Sequence, residues 1–312
     1  MRFLLPQGIG DSVWALLKIQ DAAKKLGDGV VDVVLNTLNV DIRENRAVNF
    51  IKRFSFVNSV GQIQTPITKD VYPPLDMDGY YIYLDDGWNE KLGAYVFIPN
   101  RTLERGQRIE TWHPEFSINW DIMKDFRFDE NEKEFAKSLG QEYAVFYLGP
   151  KSGNTVDGHN RNGIWSPDDW AYVARFCNYE LNLPVVIVGA SYDRDYWTEF
   201  VRPKMLEQHY IDLVGKLPIS ATFAVTKRAR FIVSFQSGIG IVSEYMGVPT
   251  AIFWRQKGDS ISPHPGFYTS FEEGMNGAWS NPEHLAKGNH MALYYGRHDA
   301  VYVCNEIRKR GW

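Results

Sequence analysis

The feature that most constrains this chain is a recurrence: short apolar runs stop at a glycine-bearing turn and pass directly into a segment of helical period. Phe3-Leu4-Leu5 stops at Pro6-Gln7-Gly8-Ile9-Gly10-Asp11, after which Val13, Trp14, Leu16 and Leu17 recur at helical spacing. A strand follows over 30–35, a polar helical stretch over about 39–54, and a strand over 80–84 closed by Asp85-Asp86-Gly87. The pattern restarts at 143–148. It continues through a polar loop, an amphipathic stretch over 167–177 and apolar runs over 183–189, 231–234 and 250–254. Strands alternating with helices predict an α/β chain with parallel sheets.

A chain of 312 residues is long enough for two such domains. The expected division is a first Rossmann-like domain over 1–140 and a second over 141–295, with 296–312 as a helix packing back on the first. Open parallel sheets bind ligands beyond the carboxyl ends of their strands. Two halves facing each other would therefore line a cleft with those loops.

The net charge of −4, without a basic tail, gives nonspecific nucleic-acid binding no global support. Cys177 and Cys304 are too few for a disulfide framework and too far apart for a metal knuckle. No apolar stretch suggests a leader or a membrane span, so the sequence reads as a soluble cytoplasmic protein, a monomer or weak dimer.

Three constellations carry the candidate chemistry. In the first, Gly8, Gly10, Asp11 and Ser12 begin a helix, where a carboxylate is held ionised; Asp11 is either a functional acid or a plain N-cap. The third glycine of a dinucleotide fingerprint is replaced by Val13. The second is the loop 149–163, whose Lys151, Ser152, Asn154 and Arg161 are donors suited to a diphosphate, or else simply solvated. In the third, the turn Gln236-Ser237-Gly238-Ile239 feeds a helix, aiming amide N–H groups at phosphate oxygens. Glu244, about two turns on, is either a ribose ligand or a surface carboxylate.

Taken together, Gly8-Ile9-Gly10-Asp11, Ile211-Asp212-Leu213-Val214-Gly215-Lys216 and Ser237-Gly238 through Met246-Gly247-Val248-Pro249-Thr250 resemble the lipopolysaccharide heptosyltransferases of glycosyltransferase family 9. The resemblance covers the start and most of 141–254. It implies the GT-B architecture, two Rossmann-like domains across a cleft. It also implies inverting, metal-independent transfer of a sugar from a nucleotide-diphosphate sugar to an acceptor hydroxyl, with no cofactor. Asp11 is then the general base. The leaving diphosphate is stabilised by Lys151, Ser152, Asn154 or Arg161 and by amides around Ser237-Gly238-Ile239. Gly189 closes a strand in the nucleoside region, and Asp193 or Asp195 holds a ribose hydroxyl.

Gln236 stands where the family carries an acid and Ile241 where it carries a histidine, and no lysine precedes Trp165. These departures remove a charge set used for one donor sugar and point away from heptose. They also leave two other readings open, a catalytically inactive nucleotide-sugar-binding protein and a GT-B-like sugar-nucleotide epimerase. Asp76-Met77-Asp78 precedes a strand instead of closing one, which argues against a metal-binding pair, and His264 is a turn residue that could equally contact the donor. Aromatic residues make up 14% of the chain. Trp165, Trp170, Tyr172 and Trp254 belong with the donor half, where core packing is the default. Asp85, Asp86, Trp88 and Trp112, with Tyr95 and Trp120, are the candidate acceptor surface, for a glycan or a modified nucleic-acid base.

Overall fold

The computed structural model describes all residues except Gln7, 37–45, 64–85, Lys91, 100–107, 149–154, 157–158, 161–164, 207–209, Gln236, 255–279 and 295–297. The sequence candidates Lys151, Ser152, Asn154, Arg161, Gln236, Asp85, Asp76, Asp78 and His264 lie outside the described residues, as does the strand expected over 80–84. The chain divides into two compact units, Met1–Arg127 and Phe128–Trp312. Among the described residues, no helix is long and apolar enough to cross a membrane.

The first unit is built on a five-stranded sheet. Strand β1 (Arg2–Leu5) is central, with β2 (Val31–Asn36) and then β3 (Val57–Ile63) on one side, and β5 (Ala94–Val96) and then β4 (Gly87–Asn89) on the other. All pairings are parallel except that of β4 with β5. Helix α1 (Ile9–Leu26) follows β1 and buries Val13, Trp14, Leu16, Leu17 and Ile19, as its apolar spacing requires. Of the polar stretch expected over 39–54, the described part is helix α2 (Arg46–Ile51).

The second unit holds a six-stranded, wholly parallel sheet in the spatial order β10-β9-β6-β11-β12-β13. Its strands are β6 (Ala144–Tyr147), β9 (Val185–Val188), β10 (Tyr210–Asp212), β11 (Phe231–Phe235), β12 (Thr250–Trp254) and β13 (His290–Tyr294); β7 (Thr155–Val156) and β8 (His159–Asn160) form a separate small antiparallel pair. Counted along the unit, the order is 3-2-1-4-5-6, the doubly wound arrangement whose switch point lies between its first and fourth strands. The near-continuous apolar runs of β6, β9 and β11 are those of strands covered on both faces, and every residue of the three is buried.

The division falls at 127/128 rather than near 140. Helix α3 (Glu130–Ser138) belongs to the second unit because it packs on helix α5 (Ile219–Lys227), where Ser220 donates to the buried Glu132. The last helix, α8 (Ala300–Arg310), was expected against the first domain, but it packs within the second unit on helix α4 (Pro167–Tyr179). Its Val303, Cys304 and Ile307 enter that unit's core, and Arg308 pairs with Glu180. The start of α4 is fixed by its own residues. Ser166 accepts from the Asp169 amide, Asp169 Oδ2 accepts from the Ser166 amide at 2.8 Å, and Pro167 takes the first position.

Candidate functional site

In the second unit, the switch point places two segments at the carboxyl ends of β6 and β11: the loop after β6 and the start of helix α6 (Gly238–Tyr245). Ser237 is the N-cap of α6, its hydroxyl accepting from the Gly240 amide at 3.3 Å and lying 3.2 Å from the Ser234 hydroxyl. Gly240 lets the helix approach the strand closely, since a Cβ there would meet Ser234 Oγ at 2.9 Å. The helix thus starts directly on the strand it follows. Its opening amides, those of Gly238 and Ile239, have no intrahelical acceptor and meet an anion with the favourable end of the helix dipole. Gly238 is partly exposed, and no acid occupies the first turn. Ile241 is buried at 5% exposure, so the side chain at this position packs in the core.

The acids expected at the ribose have other attachments. Asp193 is buried and its Oδ2 accepts the Ala190 amide at 2.7 Å, closing the turn after β9. Gly189 makes room for it: a Cβ on Gly189 would lie 3.1 Å from that oxygen. Glu244 is also buried, with Oε1 accepting the Asn281 amide at 3.1 Å and lying 3.8 Å from His284 Nδ1. Burial holds the Glu244 carboxyl above its ordinary range. It ties down Asn281, the residue that caps helix α7 (Pro282–Ala286), and is not a surface carboxylate. Asp195 is exposed. Asp212, at the end of β10, holds Arg194 through both oxygens, at 3.0 and 2.9 Å.

The first unit presents its own turn at the carboxyl end of β1, between β2 and β5. Gly8 caps α1 at φ −74°, ψ 135°, a conformation open to any residue, and its carbonyl accepts from the Ser12 amide at 2.8 Å. The Ser12 hydroxyl is fully buried and donates to the Pro6 carbonyl at 2.6 Å. Gly10 is buried and Asp11 is partly exposed in the first turn. The N-cap position therefore belongs to Gly8, and the reading of Asp11 as a plain N-cap falls.

The candidate acceptor residues separate. Trp88 is 56% exposed on β4. Trp112 is a core residue at 3% exposure, 4.5 Å from Phe97 between ring centroids, its indole N–H donating to Asp86 Oδ2 at 2.9 Å. Asp86 is exposed and also accepts the Ile98 amide at 2.8 Å, so its carboxylate fastens two local groups at the surface. Tyr95 packs against Phe3 and Phe97, and Trp120 is partly exposed.

Sequence reasoning missed Lys18 and His113. Lys18 is buried on α1 and donates to the carbonyls of Trp112 and His113. Burial lowers its pKa to about 8, against the pull of Glu115 and Glu110. A lysine one turn after Trp14, on the apolar stripe of a helix, was the available signal. His113 lies in the left-handed region at φ 48°, its ring between Phe97 and Phe116. Burial opposes its charge, but Asp86 at 3.4 Å and Glu115 at 3.1 Å outweigh that and raise its pKa.

No family model and no curated protein matches the sequence. Solved structures do match. The ADP-heptose lipopolysaccharide heptosyltransferase II of E. coli superimposes with a TM-score of 0.61 at 12% identity, covering 99% of this chain and 97% of that one. A glycosyl transferase family 9 structure from Veillonella parvula gives 0.60 at 12% identity, covering 99% and 95%. The fold is GT-B. At this identity the likeness is one of fold; within it, α1 follows the middle strand of its five-stranded sheet and α6 follows one of the two middle strands of its six-stranded sheet.

Proposed function

We propose that the chain is an inverting glycosyltransferase that moves a sugar from a nucleotide-diphosphate sugar to an acceptor hydroxyl. The observation that carries this reading is the start of α6, an acid-free helix N-terminus at the switch point of a 3-2-1-4-5-6 sheet. The likeness to glycosyltransferase structures over nearly the whole chain supports it. In this reading the second unit takes the donor, and the first supplies the base and an acceptor surface that includes Trp88.

The acceptor oxygen attacks the anomeric carbon as its proton passes to Asp11, and the bond from that carbon to the diphosphate oxygen breaks, with inversion. Charge developing on the diphosphate meets the Gly238 and Ile239 amides with the side chains of Lys151, Ser152, Asn154 and Arg161. These groups take the counter-charge role a divalent ion fills elsewhere.

Replacing Asp11 by Asn tests the assignment. Donor affinity is expected to be retained while kcat falls by about 10²–10⁴-fold, the usual weight of a general base. Unchanged turnover would overturn the assignment of the base. A wild-type chain that binds nucleotide sugars, transfers to no acceptor and interconverts no donor would favour a binding protein; donor isomerisation without an acceptor would favour an epimerase.

A further inference from the structure

Four tyrosines described in the second unit are at least two-fifths exposed: Tyr172, Tyr179, Tyr192 and Tyr302. Tyr172 and Tyr179 lie on α4 and Tyr302 on α8, ordinary positions on helix surfaces. Tyr192 is different, because it follows the carboxyl end of β9 by four residues, on the side of the sheet where an open parallel sheet binds its ligand.

The turn that bears it is bonded to the turn after β10. The ladder between β9 and β10 continues past both strands, with the Leu213 amide on the Ile187 carbonyl at 2.9 Å and the Gly215 amide on the Gly189 carbonyl at 3.0 Å. Gly215 takes φ +67°, and a Cβ on it would meet Ser191 Cα at 3.1 Å. The two turns are thus interlocked, and Asp193 ties the one bearing Tyr192 to the Ala190 amide from inside. Gly189, Ala190, Ser191 and Gly215 are the small residues of these two turns, and the backbone that bears the exposed Tyr192 ring is held in place.

In a 3-2-1-4-5-6 sheet with phosphates at the first/fourth boundary, the nucleoside extends over the second strand, here β9. An acid at the end of that strand ordinarily meets the ribose, but Asp193 is turned inward. We propose that Tyr192 is the stacking platform for the donor's nucleobase, so that the nucleoside is recognised through its aromatic face. This rests on the glycosyl-transfer reading above. A stacked ring with little hydrogen-bond readout is tolerant of base identity.

Calorimetric titration of ADP, GDP, UDP, CDP and dTDP into the wild type, Tyr192→Ala and Tyr192→Phe proteins tests this, with inorganic pyrophosphate as a probe that lacks a base. Tyr192→Ala is expected to weaken the nucleoside diphosphates roughly 10- to 100-fold, the range of one lost base–aromatic stack, and to leave pyrophosphate unchanged. Tyr192→Phe keeps the ring and is expected to bind as wild type. In turnover, Tyr192→Ala raises the donor KM with kcat nearly constant. Equal nucleotide affinity in wild type and Tyr192→Ala overturns the proposal alone, as does an equal loss of pyrophosphate binding. A wild-type chain that binds none of the five overturns the glycosyl-transfer reading together with it.

Discussion

Each unit starts a helix beyond an inner strand of its sheet, α1 after β1 and α6 after β11, and the two starts have opposite electrostatics. Helix α1 has glycine at its cap and a carboxylate, Asp11, in its first turn; α6 has a serine at its cap and no acid there. A helix N-terminus attracts negative charge, worth about 0.3–1 kcal/mol at exposed sites. At α1 the protein supplies that charge itself, which disfavours a second anion. At α6 the position is left for a ligand's anion. In the proposed reading, the proton acceptor belongs to the first unit and the diphosphate to the second.

The sharpest structural challenge to this contrast is Gly240→Ala. Its Cβ would lie 2.9 Å from Ser234 Oγ, so the start of α6 must shift. A destabilisation of about 1–3 kcal/mol is expected, as for other overpacked sites, together with weaker nucleoside-diphosphate binding. Chemical denaturation and calorimetry on the same samples check both. Unchanged donor affinity would detach the diphosphate from α6.

Two histidines extend the comparison to pH. His290 of the second unit is buried and its pKa falls to about 4, so the unfolded chain binds the extra proton between pH 4 and 6.5. Its contribution to stability is present above the unfolded value and lost as pH falls through the folded one. His113 of the first unit is shifted upward, chiefly by the Asp86 and Glu115 carboxylates against the opposing effect of burial. Its contribution is complete below pH 6.5 and lost as pH rises through the raised value. Lys18, lowered to about 8 by burial, adds stability again as pH climbs from there toward 10.5. Denaturation midpoints between pH 4 and 10 are therefore expected to rise, dip and rise. His113→Gln should remove the dip, and persistence of the dip would assign it to another group.

Trp112→Phe is the smallest of these changes. It removes the indole donor from Asp86, where the net value of a hydrogen bond to a charged group is about 1.5–3 kcal/mol, partly recovered by solvent at Asp86. A loss near 1 kcal/mol in thermal unfolding is expected, with the acceptor KM unmoved. A change in the acceptor KM would return Trp112 to the acceptor surface.

The second unit was the more legible in sequence. Its strands β6, β9, β11 and β12 are near-continuous apolar runs, and its serine–glycine turn announces a helix start, whereas β10 carries no such run. β3 was not foreseen because Val57–Ile63 alternates with Asn, Ser, Gly and Gln, which carry no strand signal. The short edge strand β4 and its neighbour β5 have too few residues to show a period. Asp193, Glu244, Asp86 and Trp112 are ligand candidates by residue type and position, and all four side chains make local hydrogen bonds. A carboxylate in a turn looks the same in sequence whether it faces a ligand or the next backbone amide. Lys18 and His113 matter through partners about 95 residues apart, which local spacing does not encode.

The account turns on where the diphosphate lies. Backbone amide NMR during titration of ADP, GDP and UDP reads this directly. Shifts concentrated at Ser237, Gly238, Ile239 and Gly240, with the amides of Ile9 to Ser12 unmoved, are the predicted result. Shifts confined to the start of α1, with the start of α6 silent, would contradict the assignment of the two units.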